Sequence, residues 1–194
     1  MNIQISSNRK LVNVNYDNLV QGKITIPEIS IELFLSHCTK EKFDDNKLDP
    51  QHNCVKRLSE ILINHHKLRT FFDRNDIKSN PGNIINDALD RSRILVAICT
   101  PEYIAQFMKQ RNSWPSLELG PFIIWEVNSS KDRIIPVLLD ISREEFQKQG
   151  CGIPTLIRKR IIEIPSEYRS DENIIVNKAN EIALIHSEYF QQWG

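Results

Sequence analysis

The sequence predicts an α/β protein in which one parallel sheet lies between two layers of helices. Short, wholly apolar runs alternate along the chain with segments whose apolar residues recur every three or four positions. Runs of the first kind are typical of parallel strands covered on both faces, and segments of the second kind are typical of the helices that cover them. The alternation of strand and helix therefore indicates successive crossover units of a single sheet.

The composition fits one globular domain with a short extension. The chain has 194 residues, of which 40% are hydrophobic and 26% are charged. Its 25 Lys and Arg balance 25 Asp and Glu, and this zero net charge argues against a nucleic-acid binder, which should be basic. No run is long and apolar enough for a membrane span, and residues 1–10 lack the apolar core of a secretion signal. We expect a cytoplasmic protein whose partners are small molecules or protein surfaces.

The cysteines also indicate a cytoplasmic protein. They lie far apart in the sequence, at Cys38, Cys54, Cys99 and Cys151. This spacing contains no paired motif of the kind that holds zinc or builds a disulfide framework. We therefore expect reduced thiols, and neither a metal nor a bound cofactor.

Two regions are expected along the chain. Residues 1–27 are polar and rich in asparagine, and Pro27 separates them from the apolar runs of the main domain. They are interpreted as an N-terminal extension that adds a hairpin or a strand. The main domain is expected over residues 28–194, including a C-terminal helix.

Each element of the main domain has its own signal. Strands are expected at the apolar runs 31–35, 68–72, 94–99, 134–139 and 161–164. Helices are expected at 50–66, around 84–89, over 101–127 with a break near 111–113, and at 172–191. Pro50 and Pro115 suit the first turn of a helix, and Ser113 suits the cap before Pro115.

Five such strands predict a flavodoxin-like fold with the strand order 2-1-3-4-5. In that order the direction in which successive strands are added to the sheet reverses between strands 1 and 3. Ligands of such sheets bind in the crevice at the carboxyl ends of those two strands. The residues expected there are Ser36, His37, Cys38, Cys99 and Thr100. No glycine-rich phosphate-binding motif occurs, and Cys99 stands where a phospho-receiver domain needs an aspartate.

Several segments, in the right order, resemble the Toll/interleukin-1 receptor (TIR) family. The matching segments are Leu33–His37 with Asp44 and Asp45, Phe71–Arg74 through Pro81 and Gly82, Val96–Tyr103, Trp114 with Glu118, and Ile134–Leu139. They correspond to the family's opening strand and loop, its second strand and BB loop, its third strand and following turn, its W-x-x-x-E helix pattern and its fourth strand. The resemblance covers residues 28–165.

The chain departs from the family pattern at two positions. Cys99 stands where the family usually has a serine, and Pro115 follows Trp114 where a small residue is common. Both changes affect the shape of the expected pocket, and neither removes the carboxylate of Glu118.

The resemblance implies an enzyme that cleaves NAD+ between nicotinamide and ribose, with Glu118 as the catalytic carboxylate. Nicotinamide leaves as a neutral group, so the chief difficulty is the positive charge that develops on the ribose, which a carboxylate can stabilise. Residues expected to bind the substrate or shape its pocket are Ser36, His37, Asp45, Phe72, Asp73, Arg74, Cys99 and Trp114. The resemblance also implies self-association, with the BB loop of one protomer completing the site of the next.

Further implications concern the biological setting. Short TIR proteins of this kind resemble the signal-producing component of bacterial anti-phage systems of the Thoeris type. There, an ADP-ribose product, linear, cyclised or otherwise modified, activates a separate effector protein. We expect no second domain in this chain that could be such an effector.

Simpler roles compete with these for several residues. Glu118 could be an ordinary helix glutamate, and Glu126 is a second carboxylate on the same helix. Cys99 is expected to be buried filler, and Trp114 to pack rather than react. The run 158–160 is expected to form a solvated basic face.

Two other functions stay open on the sequence. A non-enzymatic TIR adaptor would use the loop 73–82 and exposed helices to bind other TIR domains. A nucleoside deoxyribosyltransferase on a related fold would also place a glutamate against a sugar carbon, although the spacing of Trp114 and Glu118 favours the TIR family.

Overall fold

A computed structural model describes the fold over residues 31–38, 49–72, 81–109, 113–149 and 154–192. Three of the expected site residues, Asp45, Asp73 and Arg74, lie outside these ranges, as does the expected extension over residues 1–27.

The sheet has five strands, all parallel, and the predicted order is confirmed. The strands are β1 (Ile31–Ser36), β2 (Thr70–Phe72), β3 (Ser92–Cys99), β4 (Ile134–Leu139) and β5 (Ile162–Ile164). They lie in the order β2-β1-β3-β4-β5. The register places Ser36, the last residue of β1, opposite Ala97 of β3. The register therefore places Ser36 at the carboxyl ends of β1 and β3, where the sequence predicts the ligand site.

Both faces of the sheet are buried, as the apolar runs predict. All six residues of β4 are buried, and so are seven of the eight residues of β3. Successive β3 side chains alternate between two cores, with Val96 and Ile98 in one and Leu95, Ala97 and Cys99 in the other. This alternation follows from the two-residue period of a strand.

Seven helices surround the sheet in the described part of the chain. They are α1 (Pro50–Asn64), α2 (Pro81–Asp90), α3 (Pro101–Lys109), α4 (Trp114–Ser129), α5 (Arg143–Gln149), α6 (Pro154–Ile157) and α7 (Glu172–Gln191). Asp49 caps α1 by accepting a hydrogen bond from the backbone N–H of Gln51. Ser113 caps α4 in the same way through the N–H of Ser116, so the predicted break before α4 is confirmed.

The structure differs from the sequence expectation mainly in the short elements. Helices α5 and α6 and a 3₁₀ turn at Ser166–Tyr168 are additional to the expected set. Helix α5 has only seven residues, and Phe146 is the one buried side chain among those described in it, which is too little periodicity to predict a helix. Strand β2 begins at Thr70 rather than Leu68, because only three residues pair with β1.

No helix in the described ranges is both long enough and apolar enough to cross a membrane.

Candidate active site

A buried carboxylate lies at the carboxyl end of β1. Glu118 of α4 is only 4% exposed, and its Oε2 accepts a 2.5 Å hydrogen bond from the Ser36 hydroxyl, 82 positions earlier in the chain. Ser36 is 1% exposed.

Tyr103 of α3 completes this network. Its hydroxyl lies 2.9 Å from the Ser36 Oγ. Because Ser36 has one hydroxyl hydrogen, which it donates to Glu118, Tyr103 must donate to Ser36. Burial raises the pKa of Tyr103 well above its ordinary value, and the nearby Cys99 and Glu118 raise it further. The phenol therefore remains a hydrogen donor, and the order of donation is Tyr103 to Ser36 to Glu118.

Helix α4 positions Glu118 and Trp114 one turn apart. Ser113 caps the helix and Pro115 lies in its first turn, so the backbone starts in a fixed place. Trp114 is 45% exposed, whereas Glu118 points inward. A Cβ atom added at Gly82 would lie 4.0 Å from the tip of the Trp114 indole. Trp114 is thus beside the start of α2, where the segment 73–80 rejoins the described chain.

Three rings cluster beside Ser36. The His37 ring lies 4.8 Å from Phe72 and 5.6 Å from His52, measured between ring centroids, and Phe72 and His52 are 5.2 Å apart. Phe72 is 2% exposed and His52 is 8% exposed. The cluster joins the ends of β1 and β2 to the first turn of α1. His37 is therefore packed against neighbouring rings rather than standing alone at a strand end.

Cys99 lies in the protein interior, near the Tyr103 hydroxyl that donates to Ser36. Its side chain is fully buried, and burial raises the pKa of the thiol to about 12. The thiol lies 3.5 Å from the carbonyl oxygen of Ala97, to which it donates. A thiol with so high a pKa is a poor nucleophile, so the residue serves here as core packing.

Glu126, the other carboxylate of α4, has structural contacts at the opposite end of the strands, where β4 begins. Its Oε1 accepts hydrogen bonds from the backbone N–H groups of Arg133 at 2.5 Å and Ile134 at 2.8 Å. The Lys159 ammonium lies 2.9 Å from the same oxygen. Glu126 therefore ties the end of α4 to the start of β4.

The expectation of a solvated basic face over residues 158–160 is wrong for Lys159. The Lys159 side chain is only 7% exposed and pairs with both Glu126 and Asp132. The two carboxylates compensate the cost of burying the Lys159 charge. The sequence around Lys159 does not show that these carboxylates lie beside it, because they come from other segments of the chain.

Tyr103 and His52 were not among the residues expected at the site. Tyr103 belongs to the segment 96–103 that carries the family resemblance, and this is the only sequence signal that could have selected it. His52 has no such signal, because its proximity to His37 depends on how α1 packs. Within the described ranges, no three His, Cys, Asp or Glu side chains lie close enough together to hold a metal ion.

The family comparison agrees with this architecture. The TIR domain model matches residues 34–162, which is more than half of the chain. The match spans Ser36, Tyr103, Trp114 and Glu118. It also covers the five-stranded sheet except the first three residues of β1 and the last two of β5. A comparison with curated proteins returned no match. The chain belongs to the TIR domain family, whose members include both NAD+-cleaving enzymes and interaction modules.

Proposed function

We propose that this TIR domain cleaves NAD+ between nicotinamide and ribose, with Glu118 as the catalytic carboxylate. The observation that carries the proposal is the placement of Glu118. It is a buried carboxylate at the carboxyl ends of β1 and β3, where parallel α/β sheets bind ligands. It is held there by a hydroxyl network from two other elements.

The chemistry suits a single carboxylate. As the bond between ribose C1′ and the nicotinamide nitrogen breaks, its electron pair goes to the nitrogen, and nicotinamide leaves as a neutral molecule. Positive charge then develops on the ribose. A carboxylate that is 4% exposed is little screened by water, so its field stabilises that charge strongly. Water adds to C1′ and releases a proton, which gives ADP-ribose; a nucleophile of the ligand itself gives a cyclised product.

The neighbouring residues have separate roles in this proposal. Ser36 holds Oε2 of Glu118 and fixes the direction of the carboxylate. Trp114, half-exposed one turn before Glu118, offers a flat surface against which a base or ribose can pack. His37 and Phe72 form one wall at the ends of β1 and β2. Asp45, Asp73 and Arg74 stay predicted substrate contacts.

The biological setting follows from the resemblance and extends the proposal. We infer a cytoplasmic TIR protein of the Thoeris-like anti-phage type, whose ADP-ribose-derived product activates a separate effector. Activity is expected to depend on self-association of TIR domains.

The direct test is nicotinamide release from NAD+. Purified protein is incubated with NAD+ over a range of protein concentrations, with and without an extract of phage-infected cells, and the nucleotides are separated by chromatography. Glu118→Gln keeps the shape and a hydrogen-bond acceptor for Ser36 but removes the negative charge. We expect a loss of about a hundredfold or more in turnover, since the charge acts on the transition state.

Glu126→Gln is the matched control, because it removes the charge of the other buried glutamate of α4. It should lower stability but preserve turnover per folded molecule. Identical nucleotide profiles for wild type and Glu118→Gln under every condition would contradict the enzymatic proposal.

The adaptor function has one observation in its favour, since a glutamate that bonds Ser36 could serve only to attach α4 to β1. In that case Glu118→Gln would preserve biological activity and partner binding. Loss of partner binding on charge reversal at Arg74, with Glu118→Gln fully active, would identify an adaptor.

A further inference from the structure

A cavity lies at the amino end of the sheet, where β1 and β2 begin. Its volume is about 450 Å³, which is within the range of small-molecule sites. The start of β1, the segment between α1 and β2, and the last turns of α7 form its walls, which include Glu32, His66, Leu68, His186, Phe190 and Gln191. Glu32 and Ser36 are four residues apart in β1, which is about 13 Å in an extended strand, so this cavity is separate from the candidate active site.

The feature that indicates a ligand is the imidazole of His186. This residue is only 6% exposed, and its Nε2 is buried without a hydrogen-bond partner among the described residues. Buried polar atoms in native proteins are nearly always hydrogen-bonded, so such an atom at a cavity wall calls for a partner from outside the described chain. Burial lowers the pKa of His186, so the ring is neutral near neutral pH and carries its one proton on either nitrogen. In the tautomer with the proton on Nε2, the ring donates to an acceptor in the cavity.

Glu32 supplies the complementary group, a hydrogen-bond acceptor. Its Oε2 accepts from the backbone N–H of Arg69 at 2.9 Å and lies 3.8 Å from the Arg69 Nε. Within the described ranges, Oε1 accepts no hydrogen bond, so it can take a donor from a ligand. The Glu32 charge also acts to raise the pKa of His186, so the carboxylate and the imidazole are near enough to interact.

Phe190 supplies a flat apolar surface beside these two groups. It follows His186 by one turn of α7, the two ring centroids are 6.1 Å apart, and Phe190 is 46% exposed. The Arg93 guanidinium lies 4.3 Å from the centroid of the Phe190 ring and holds that ring in place. Because the Phe190 side chain also lines the cavity, a planar ligand bound there can stack on it.

We propose that this cavity binds the adenine base of a nucleoside or nucleotide. Adenine is planar, and at one edge its amino group N6, a donor, lies next to the ring nitrogen N1, an acceptor. N6 donates to Oε1 of Glu32, N1 accepts from Nε2 of His186, and the rings stack on Phe190. Cytosine has a similar edge, but the two fused rings of adenine cover more of the Phe190 side chain. The cavity takes no part in the proposed NAD+ cleavage, so either proposal can fail while the other holds.

The experiment is an NMR titration of the full chain, labelled with ¹⁵N at histidine, with adenosine. The chain has five histidines, and His186→Phe identifies the His186 signals by their loss. We expect these signals to shift in a saturable way as adenosine is added. Adenosine bound only beside Glu118 would leave the His186 signals in place, and that result would overturn the proposal. A chain that binds no adenosine at millimolar concentration would overturn it too.

Phe190→Ala tests the stacking surface. It should raise the dissociation constant for adenosine about tenfold, since the base loses an aromatic partner. Leu184→Ala is the matched control, because Leu184 is a 52% exposed apolar residue of the same helix. It should leave the dissociation constant unchanged, and circular dichroism checks that both variants are folded. Equal weakening by the two variants would contradict the assignment of Phe190 to the site.

Two related nucleosides test the hydrogen bonds without altering the protein. Purine riboside is adenosine without its amino group, so it has no donor for Glu32 and should bind about fivefold more weakly. Cytidine keeps the amino group and the neighbouring ring nitrogen on a smaller ring, and it should also bind more weakly than adenosine. Purine riboside that binds as tightly as adenosine would overturn the contact with Glu32, and equally tight binding of cytidine would overturn the choice of a purine.

Discussion

At the scale of single residues, the arrangement of hydroxyls around Glu118 decides what that carboxylate can do. Tyr103 donates to Ser36 and Ser36 donates to Glu118, so the carboxylate is held from one direction by a chain of two hydroxyls. Hydrogen bonds in such a chain polarise one another. Ser36 and Tyr103 are therefore positioning residues for Glu118.

This network predicts a graded effect of Tyr103→Phe. The variant removes the donor to Ser36 and leaves a buried hydroxyl oxygen with one hydrogen bond fewer. We expect the free energy of unfolding to fall by about 1–2 kcal/mol. The proposed NAD+ cleavage should fall about fivefold, since a hydrogen bond of roughly 1 kcal/mol corresponds to that factor in rate. Urea unfolding and nicotinamide release measure the two effects.

Tyr168→Phe is the control for Tyr103→Phe, because Tyr168 is 45% exposed in the 3₁₀ turn. It should change neither quantity. Full cleavage activity in Tyr103→Phe would show that Ser36 positions Glu118 without help from the phenol.

A second residue-scale prediction concerns pH. His186 of α7 is buried, and burial lowers the pKa of its imidazole from 6.5; nearby Glu32 opposes the shift and Arg93 adds to it. As pH falls through 6.5, the unfolded chain takes up a proton at this position before the folded chain does. The free energy of unfolding should therefore decrease with falling pH in this range. His186→Gln should flatten this dependence.

Chemical unfolding at a series of pH values measures the His186 effect. The difference in stability between wild type and His186→Gln should be constant well above pH 6.5 and should shift in favour of the variant below it. Parallel pH dependences for the two proteins would contradict the prediction.

At the scale of elements, α4 connects the carboxyl end of β1 with the amino end of β4. Its first turns bring Glu118 to Ser36 at the carboxyl end of β1, and its last turn brings Glu126 to the start of β4. The two glutamates lie eight residues apart on one helix, yet Glu118 binds the Ser36 hydroxyl and Glu126 binds backbone N–H groups. The helix is therefore the element on which both the site and the stability of β4 depend.

Glu126→Ala should be strongly destabilising. It would remove the acceptor of two backbone N–H groups and one of the two carboxylates beside Lys159, whose side chain is 7% exposed. We expect a loss of about 3 kcal/mol in the free energy of unfolding, because two backbone N–H groups lose their acceptor and the buried ammonium of Lys159 keeps only one of its two carboxylates. Urea unfolding measures it.

Glu144→Ala is the control for Glu126→Ala. Glu144 also pairs with a lysine, Lys148, but both side chains are at least 70% exposed. Its removal should cost about 0.5 kcal/mol or less, since water screens exposed pairs. Similar losses for the two variants would show that the pair of Glu126 and Lys159 contributes no more than a surface contact.

At the scale of the whole molecule, strand order determines where the candidate site lies. Ser36 ends β1, Tyr103 follows β3, and the order β2-β1-β3-β4-β5 makes these two strands neighbours. Because the two strands are parallel, their carboxyl ends lie side by side at the same end of the sheet, and α4 packs beside them. Residues far apart in the chain therefore converge on Glu118.

The sequence was sufficient to predict the large elements and the strand order, and with them the end of the sheet where the candidate site lies. Apolar runs such as 94–99 and 134–139 reflect burial on both faces, and caps such as Ser113 depend on immediate neighbours. Such features are local, so they can be recognised without a fold. Ser36 could be selected as a candidate for this reason, because it ends an apolar run, whereas Glu118 was selected through the family pattern.

Tertiary packing alone decided the contacts that give these residues their properties. The bond between Ser36 and Glu118, the donation from Tyr103 and the burial of Lys159 join positions from 27 to 82 residues apart. The exposure of one side of α4 is also decided by packing, because the sequence of an apolar helix segment does not show whether that segment faces a core or water. Periodicity shows that a face exists, and only the packing of the other elements determines what lies against it.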